Sequence, residues 1–315
     1  MEEVIEGKDG VLFLAKSLHN IVDHITGKIA IDQNFFINFY KNIINRSTYC
    51  KSRNIIYKHI IYPDKSTVMK SYFPIADTIS FSERYRPYFT DDVVDLGDCL
   101  QDTTKYFFKT DTHLNFDGKV KTSIEILKNF FDFNEQEIKQ VFDGFRGTTT
   151  EMIGDLGSKI NPIQKEIRYE IITRFLKRFH NQTGANDGLV IICFNRDKIK
   201  KNKCKRLLIF GDSFCERTLQ FISYFYSEIL FCRSRYFHDE VVSMFKPDHL
   251  ITESAERYFS NVRLDDVAPR FDLIYGLKSA KYVQNTEFYR AYNAVLNYGR
   301  TQYNQFIDSF KNNLV

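Results

Sequence analysis

Apolar positions recur along the chain in two rhythms. Short, nearly continuous runs at Asn54–Tyr62, Val93–Leu96, Leu189–Phe194, Leu207–Phe210, Glu228–Cys232 and His249–Thr252 predict strands. Residues at helical spacing predict helices over Asp32–Ile44, Asp117–Phe131, Asn134–Phe142, Glu166–His180, Phe214–Tyr226, Val241–Phe245 and Glu253–Phe259. A long aromatic-rich helical tail is predicted from Gln284 to Phe310. The run at Leu207–Phe210, apolar throughout behind a basic lead-in, fits a central strand of a parallel sheet. No internal repeat and no clear linker divides the chain.

That central run ends at Gly211-Asp212-Ser213-Phe214, a tight turn that presents a serine ahead of a helix. A hydroxyl there lies where helix N-terminal N–H groups can stabilise a developing negative charge. On these residues alone, a mere capping role for Asp212 or Ser213 is the commoner outcome. A second stretch, Thr110-Asp111-Thr112-His113-Leu114-Asn115, sets a carboxylate and an imidazole two residues apart just before a predicted helix. A serine hydroxyl needs a base to take its proton, and the base needs a carboxylate to fix its tautomer. Asp111 and His113 can supply both, with Ser213 brought in by the fold.

Together these blocks resemble the SGNH-hydrolase-like domain of the alginate O-acetyltransferase (AlgX/AlgJ) family. Gly7–Phe13, Pro63–Val68, the Asp/His block, Gly154-Asp155-Leu156, Gly211–Phe214, Lys246-Pro247-Asp248 and Glu253–Tyr258 follow the family's order. The resemblance implies a three-layer α/β sandwich with a central, mainly parallel sheet. It implies Ser213 as nucleophile, His113 as base and Asp111 as its partner, in the order Asp, His, Ser. Residues 1–283 would form the catalytic domain and 284–315 a C-terminal helical extension. One departure is Leu114, which stands where the family usually has Trp; the chain has no Trp at all.

Further oxyanion or substrate candidates are Asn115, Arg233 at the end of a predicted strand, and Lys65 at the end of another. For Lys65 a surface turn position is an equal alternative. A Gly/Thr-rich stretch over 144–150 predicts a loop or hairpin near the site mouth. The block Arg196–Arg206 holds seven basic residues, read as a solvated loop with phosphate binding as the alternative.

With 315 residues, 43% hydrophobic, the chain is long enough for a substantial core. A formal net charge of +4 argues against nucleic-acid binding, and no apolar run approaches the roughly 18 residues of a transmembrane helix. The six cysteines form no CxxC pair, so no metal site is expected from them. Scattered thiols and no visible leader point to a reducing cytoplasm; a mature or truncated chain would instead fit the periplasm.

Three functions are therefore expected in order. The first is O-acetyl transfer onto a bacterial polysaccharide or glycan hydroxyl, or esterase action with the same triad. No bound cofactor is expected, and acetyl-CoA is the donor substrate to consider. Carbohydrate and polysaccharide-biosynthesis proteins are the expected partners. The second is a non-catalytic glycan-binding subunit. The third is a metal phosphoesterase using Asp111, His113 and Asp212, for which further spaced ligands are lacking.

Overall fold

The computed structural model describes residues 3–16, 18–172, 176–183, 186–195, 205–278 and 286–296. The strands are β1 (Val4–Glu6), β2 (Leu12–Leu14), β3 (Ile56–Tyr62), β4 (Val93–Asp95), β5 (Gly147–Ile153), β6 (Lys165–Ile171), β7 (Leu176–His180), β8 (Val190–Asn195), β9 (Arg206–Gly211), β10 (Glu228–Arg233) and β11 (His249–Ala255). The helices are α1 (Ile21–Ile25), α2 (Gln33–Lys51), α3 (Lys65–Val68), α4 (Phe81–Tyr85), α5 (Phe116–Lys128), α6 (Glu135–Asp143), α7 (Ser213–Ile222), α8 (Asp239–Phe245), α9 (Phe271–Lys278) and α10 (Thr286–Leu296).

A seven-stranded sheet in the order β4-β3-β11-β9-β10-β8-β7 forms the middle layer. The five strands from β4 to β10 run parallel, and β8 and β7 add antiparallel at one edge. Because side chains alternate along a strand, the same apolar run feeds both faces. In β9, Leu207 and Ile209 join a core with Phe214 and Leu219 of α7 and Ile124 and Leu127 of α5. Leu208 and Phe210 face a second core with Val241 and Phe245 of α8 and Phe288, Ala291 and Val295 of α10. The result is the three-layer α/β sandwich expected from sequence. Among the described residues, no helix is long and apolar enough to cross a membrane.

Two expectations of local structure are overturned. The described residues of 166–180 form no helix: Lys165–Ile171 is β6, paired antiparallel with β5, and Leu176–His180 is β7, at the sheet edge. Ile167, Tyr169 and Ile171 fall on alternate positions, and this period of two prevails over an equally readable helical spacing. The segment from Glu253 is the end of β11, followed by a short 3-10 turn over Glu256–Asn261. The Gly/Thr-rich stretch becomes β5, so its hairpin alternative is the one realised. Of the basic block, 196–204 lie outside the described residues, as do 284–285 and 297–315 of the predicted tail. The five described cysteines are unpaired, and Cys204 lies outside the described residues.

Candidate active site

At the carboxyl end of β9 the chain turns sharply and Ser213 becomes the first residue of α7. Asp212 caps that helix, its Oδ1 accepting from Phe214 N–H at 2.8 Å. Its other oxygen accepts from Ala255 N–H at 2.9 Å, and its own N–H donates to Glu253 Oε2 at 2.7 Å. Two strand ends are thereby bolted together. Gly211 is required by the same contact, because a Cβ there would meet Glu253 Oε2 at 2.5 Å. Among the described residues the Ser213 N–H has no acceptor, as expected for the first turn of a helix.

The partner loop is gripped from two sides. Glu166 of β6 accepts from Lys109 N–H at 2.9 Å, Thr110 N–H at 2.8 Å, and the Thr110 hydroxyl. On the other side Leu156 and Gly157 N–H donate to Thr110 C=O at 3.1 and 2.8 Å. Gly154 lies so close that a Cβ would stand 2.1 Å from the same carbonyl oxygen. Asp155 accepts from Thr112 N–H at 2.7 Å and from the Thr112 hydroxyl at 2.6 Å.

Held this way, His113 Nε2 lies 3.0 Å from Ser213 Oγ. Its Nδ1 lies 2.6 Å from Asp111 Oδ1, which also accepts from His113 N–H at 2.9 Å. The imidazole packs, tilted, against the Phe214 ring, the ring centres 4.7 Å apart. Asp111 Oδ2 receives Asp155 N–H at 3.3 Å and Arg217 Nη1 at 3.5 Å. Burial alone would raise the Asp111 pKa, but the bond from His113 and the Arg217 charge outweigh it and hold the carboxyl well below its usual range. Burial, helped by Arg217 and opposed by Asp111, lowers the His113 pKa. At neutral pH the pair is therefore a carboxylate and a neutral imidazole able to accept a proton.

The structure brings Ser213, His113 and Asp111 together and gives the other candidates different partners. Asn115 caps α5, accepting from Gly118 N–H at 3.1 Å and donating to Lys105 and Phe107 C=O. Lys65 is buried and donates to Leu12 and Lys109 C=O at 2.8 and 3.1 Å, tying the β2 strand to the Asp/His loop. That burial lowers its pKa to about 8. Arg233 pairs with Glu216 of α7 at 3.1 Å and reaches Asn186. Each of the three is thus engaged with protein groups in this structure. Asp212 lies with the backbone of α7 and β11. The acidic neighbour that does approach His113 is Asp155, 3.8 Å from Nδ1. Asp111, His113 and Asp155 place ligand atoms within 4.8 Å of one another, yet each carboxylate is already an acceptor for protein donors.

No protein-family model matches the sequence, and no curated protein matches it. Solved structures do. PatB1 of Bacillus cereus is similar over 82% of this chain and 99% of its own, with a TM-score of 0.58 and 12% identity. A DHHW family protein from Eubacterium siraeum matches over 82% and 95%, with a TM-score of 0.56 and 13% identity. The O-acetyltransferase domain of Pseudomonas putida AlgJ matches over 89% and 100%, with a TM-score of 0.55 and 13% identity. The chain shares the fold of these structures, the AlgJ domain among them. At this identity the likeness establishes the fold, and it agrees with the resemblance read from the motif blocks.

Sequence reasoning named Asp155 only as part of a motif block, with no role, and missed Glu166 and Arg217 as supports of the site. Arg217 was within reach, since a residue four after a helix-borne serine shares its face. Glu166 was hidden by the mistaken helix over 166–180.

Proposed function

We propose that this protein is a serine-dependent O-acyltransferase that moves an acetyl group onto a sugar hydroxyl of a bacterial polysaccharide or glycan. The observation that carries the reading is the hydroxyl–imidazole–carboxylate line, at 3.0 and 2.6 Å, at the carboxyl end of the central strand. The likeness in fold to an O-acetyltransferase domain supports the choice of acyl chemistry.

In the first step Ser213 Oγ attacks the acetyl carbonyl while its proton passes to His113 Nε2. Asp111 stabilises the resulting imidazolium through Nδ1–H. The oxyanion develops at the head of α7, where the Ser213 N–H is unengaged. Collapse breaks the bond to the donor's leaving group, which takes the proton from His113, and leaves acetyl-Ser213. A sugar hydroxyl then enters, gives its proton to His113 and attacks the acyl carbonyl. Ser213 leaves as its hydroxyl on return of that proton. Water in place of the sugar makes the same site an acetylesterase. Acetyl-CoA is the donor to test first.

Ser213→Ala is expected to reduce turnover of an aryl acetate by at least about 10³-fold while leaving the fold intact. A fluorophosphonate or sulfonyl fluoride should label Ser213 covalently, read by mass spectrometry. PatB1 also matches as a structure with a sulfonyl adduct, which makes that reagent class a natural first choice. Unlabelled Ser213 with unchanged turnover in the variant would instead favour a glycan-binding subunit.

A further inference from the structure

A second cleft opens on the same end of the sheet, on the α2 side of β11 and β3. It is small, about 50 Å³, with His59 and Ser254 among its inner lining and Arg235, Arg263 and Tyr258 nearer solvent. His59 is 4% exposed, its Nδ1 lying 2.9 Å from Thr252 Oγ1, while Nε2 is buried without a protein partner. Burial keeps this ring neutral, so one nitrogen is a donor and the other an acceptor. The Ser254 hydroxyl likewise makes no hydrogen bond among the described residues.

The charges around the cleft are uneven. Arg46, deep in the wall, is neutralised by Asp265, with both bonds at 2.7 Å. Arg235 and Arg263 are exposed, and neither has a carboxylate within ion-pair distance among the described residues. The Arg235 guanidinium lies over the Tyr258 ring at 5.5 Å, which orients it. Phe39 and Phe259 supply an apolar wall.

We propose that this cleft binds a small oxyanion group of a ligand, with Arg235 and Arg263 as charge partners and His59 and Ser254 as its polar floor. Two neighbouring guanidinium groups without counter-charges are complemented by a carboxylate, phosphate or sulfate, whose planar or tetrahedral oxygens suit their forked donors. The volume suits such a head group and a few waters better than a whole sugar ring. Residues next in sequence to the cleft's lining touch the turn that carries Ser213. Ala255, next to Ser254, donates to Asp212, and Arg257, next to Tyr258, lies over the Phe214 ring at 5.4 Å.

The test is thermal unfolding of the full chain with graded sodium glucuronate, inorganic phosphate or inorganic sulfate at matched ionic strength. Glucose is the neutral control. At least one oxyanion should raise the midpoint saturably in the unsubstituted protein and equally in Ser213→Ala. In the doubly substituted Arg235→Ala/Arg263→Ala chain the half-saturating concentration should rise about tenfold or more, the loss expected for charge-assisted bonds. A response to glucuronate alone would assign the group to an acidic sugar, and one to phosphate alone to a phosphorylated donor or acceptor. Identical midpoint shifts in the substituted and unsubstituted proteins, or an equal shift with glucose, would overturn the inference. Because Ser213→Ala binds as well as the unsubstituted chain on this view, that failure is separable from failure of the acyl-transfer reading.

Discussion

Neutral His113 facing the Ser213 hydroxyl is a balance between two influences on one ring. Burial and the Arg217 cation disfavour imidazolium, while the Asp111 carboxylate favours it. Since only the neutral ring accepts the serine proton, kcat/KM should fall on the acid side as His113 protonates, below the ordinary histidine value of 6.5. Arg217→Gln removes a charge that opposes protonation, so this acidic limb should move to higher pH. The same change loosens the hold on Asp111, worth about 1 kcal/mol or roughly fivefold in rate at neutral pH. A pH–rate profile of the variant with its limb unmoved would contradict that account. That Ser213, His113 and Asp111 come together was legible in sequence because their types and turn positions single them out. Asn115, Lys65 and Arg233 were named on position alone, and in the structure Asn115 and Lys65 bond backbone groups while Arg233 pairs with Glu216, contacts that no spacing in the sequence distinguishes from a substrate role.

Among the elements, the β5–β6 hairpin stands out because it performs a task that its sequence does not advertise. Its strands hold the Asp/His loop through Glu166, which accepts three donors from two adjacent residues. Glu166→Gln keeps the size but replaces one acceptor oxygen with a donor, turning an attraction into an unmet N–H or C=O. A loss of about 1–3 kcal/mol of local order is expected. Activity should fall while the global unfolding midpoint changes little, and amide exchange at 109–113 should speed up. Activity unchanged in Glu166→Gln would show that the Gly154–Gly157 side suffices to hold the loop. Strands with unbroken apolar runs were read correctly because burial on two faces leaves that signature. β6 and β7 were not, since charged residues alternate with apolar ones there and a short window fits either period.

Across the whole molecule the sheet is sandwiched by two cores of different make-up. The one carrying α5 and α7 supports Ser213, and the other is closed by α8 and α10. The sequence places a boundary near residue 283, yet α10 contributes Phe288 and Val295, 4% and 0% exposed, directly to the second core. Their burial is worth roughly 3–6 kcal/mol at about 1.5–3 kcal/mol each, a large share of an ordinary domain's net stability. Ending the chain at 283 should therefore lower the denaturant midpoint strongly, and an unchanged midpoint would show that the segment is a true appendage. Apolar side chains of β7, β8 and α8, the elements packed against α10, would then be left bare, making a greasy furrow along the back of the sheet. Shortened versions prepared for crystallisation or assay should accordingly be prone to self-association, and loss of turnover in them would report clumping rather than a missing catalytic group.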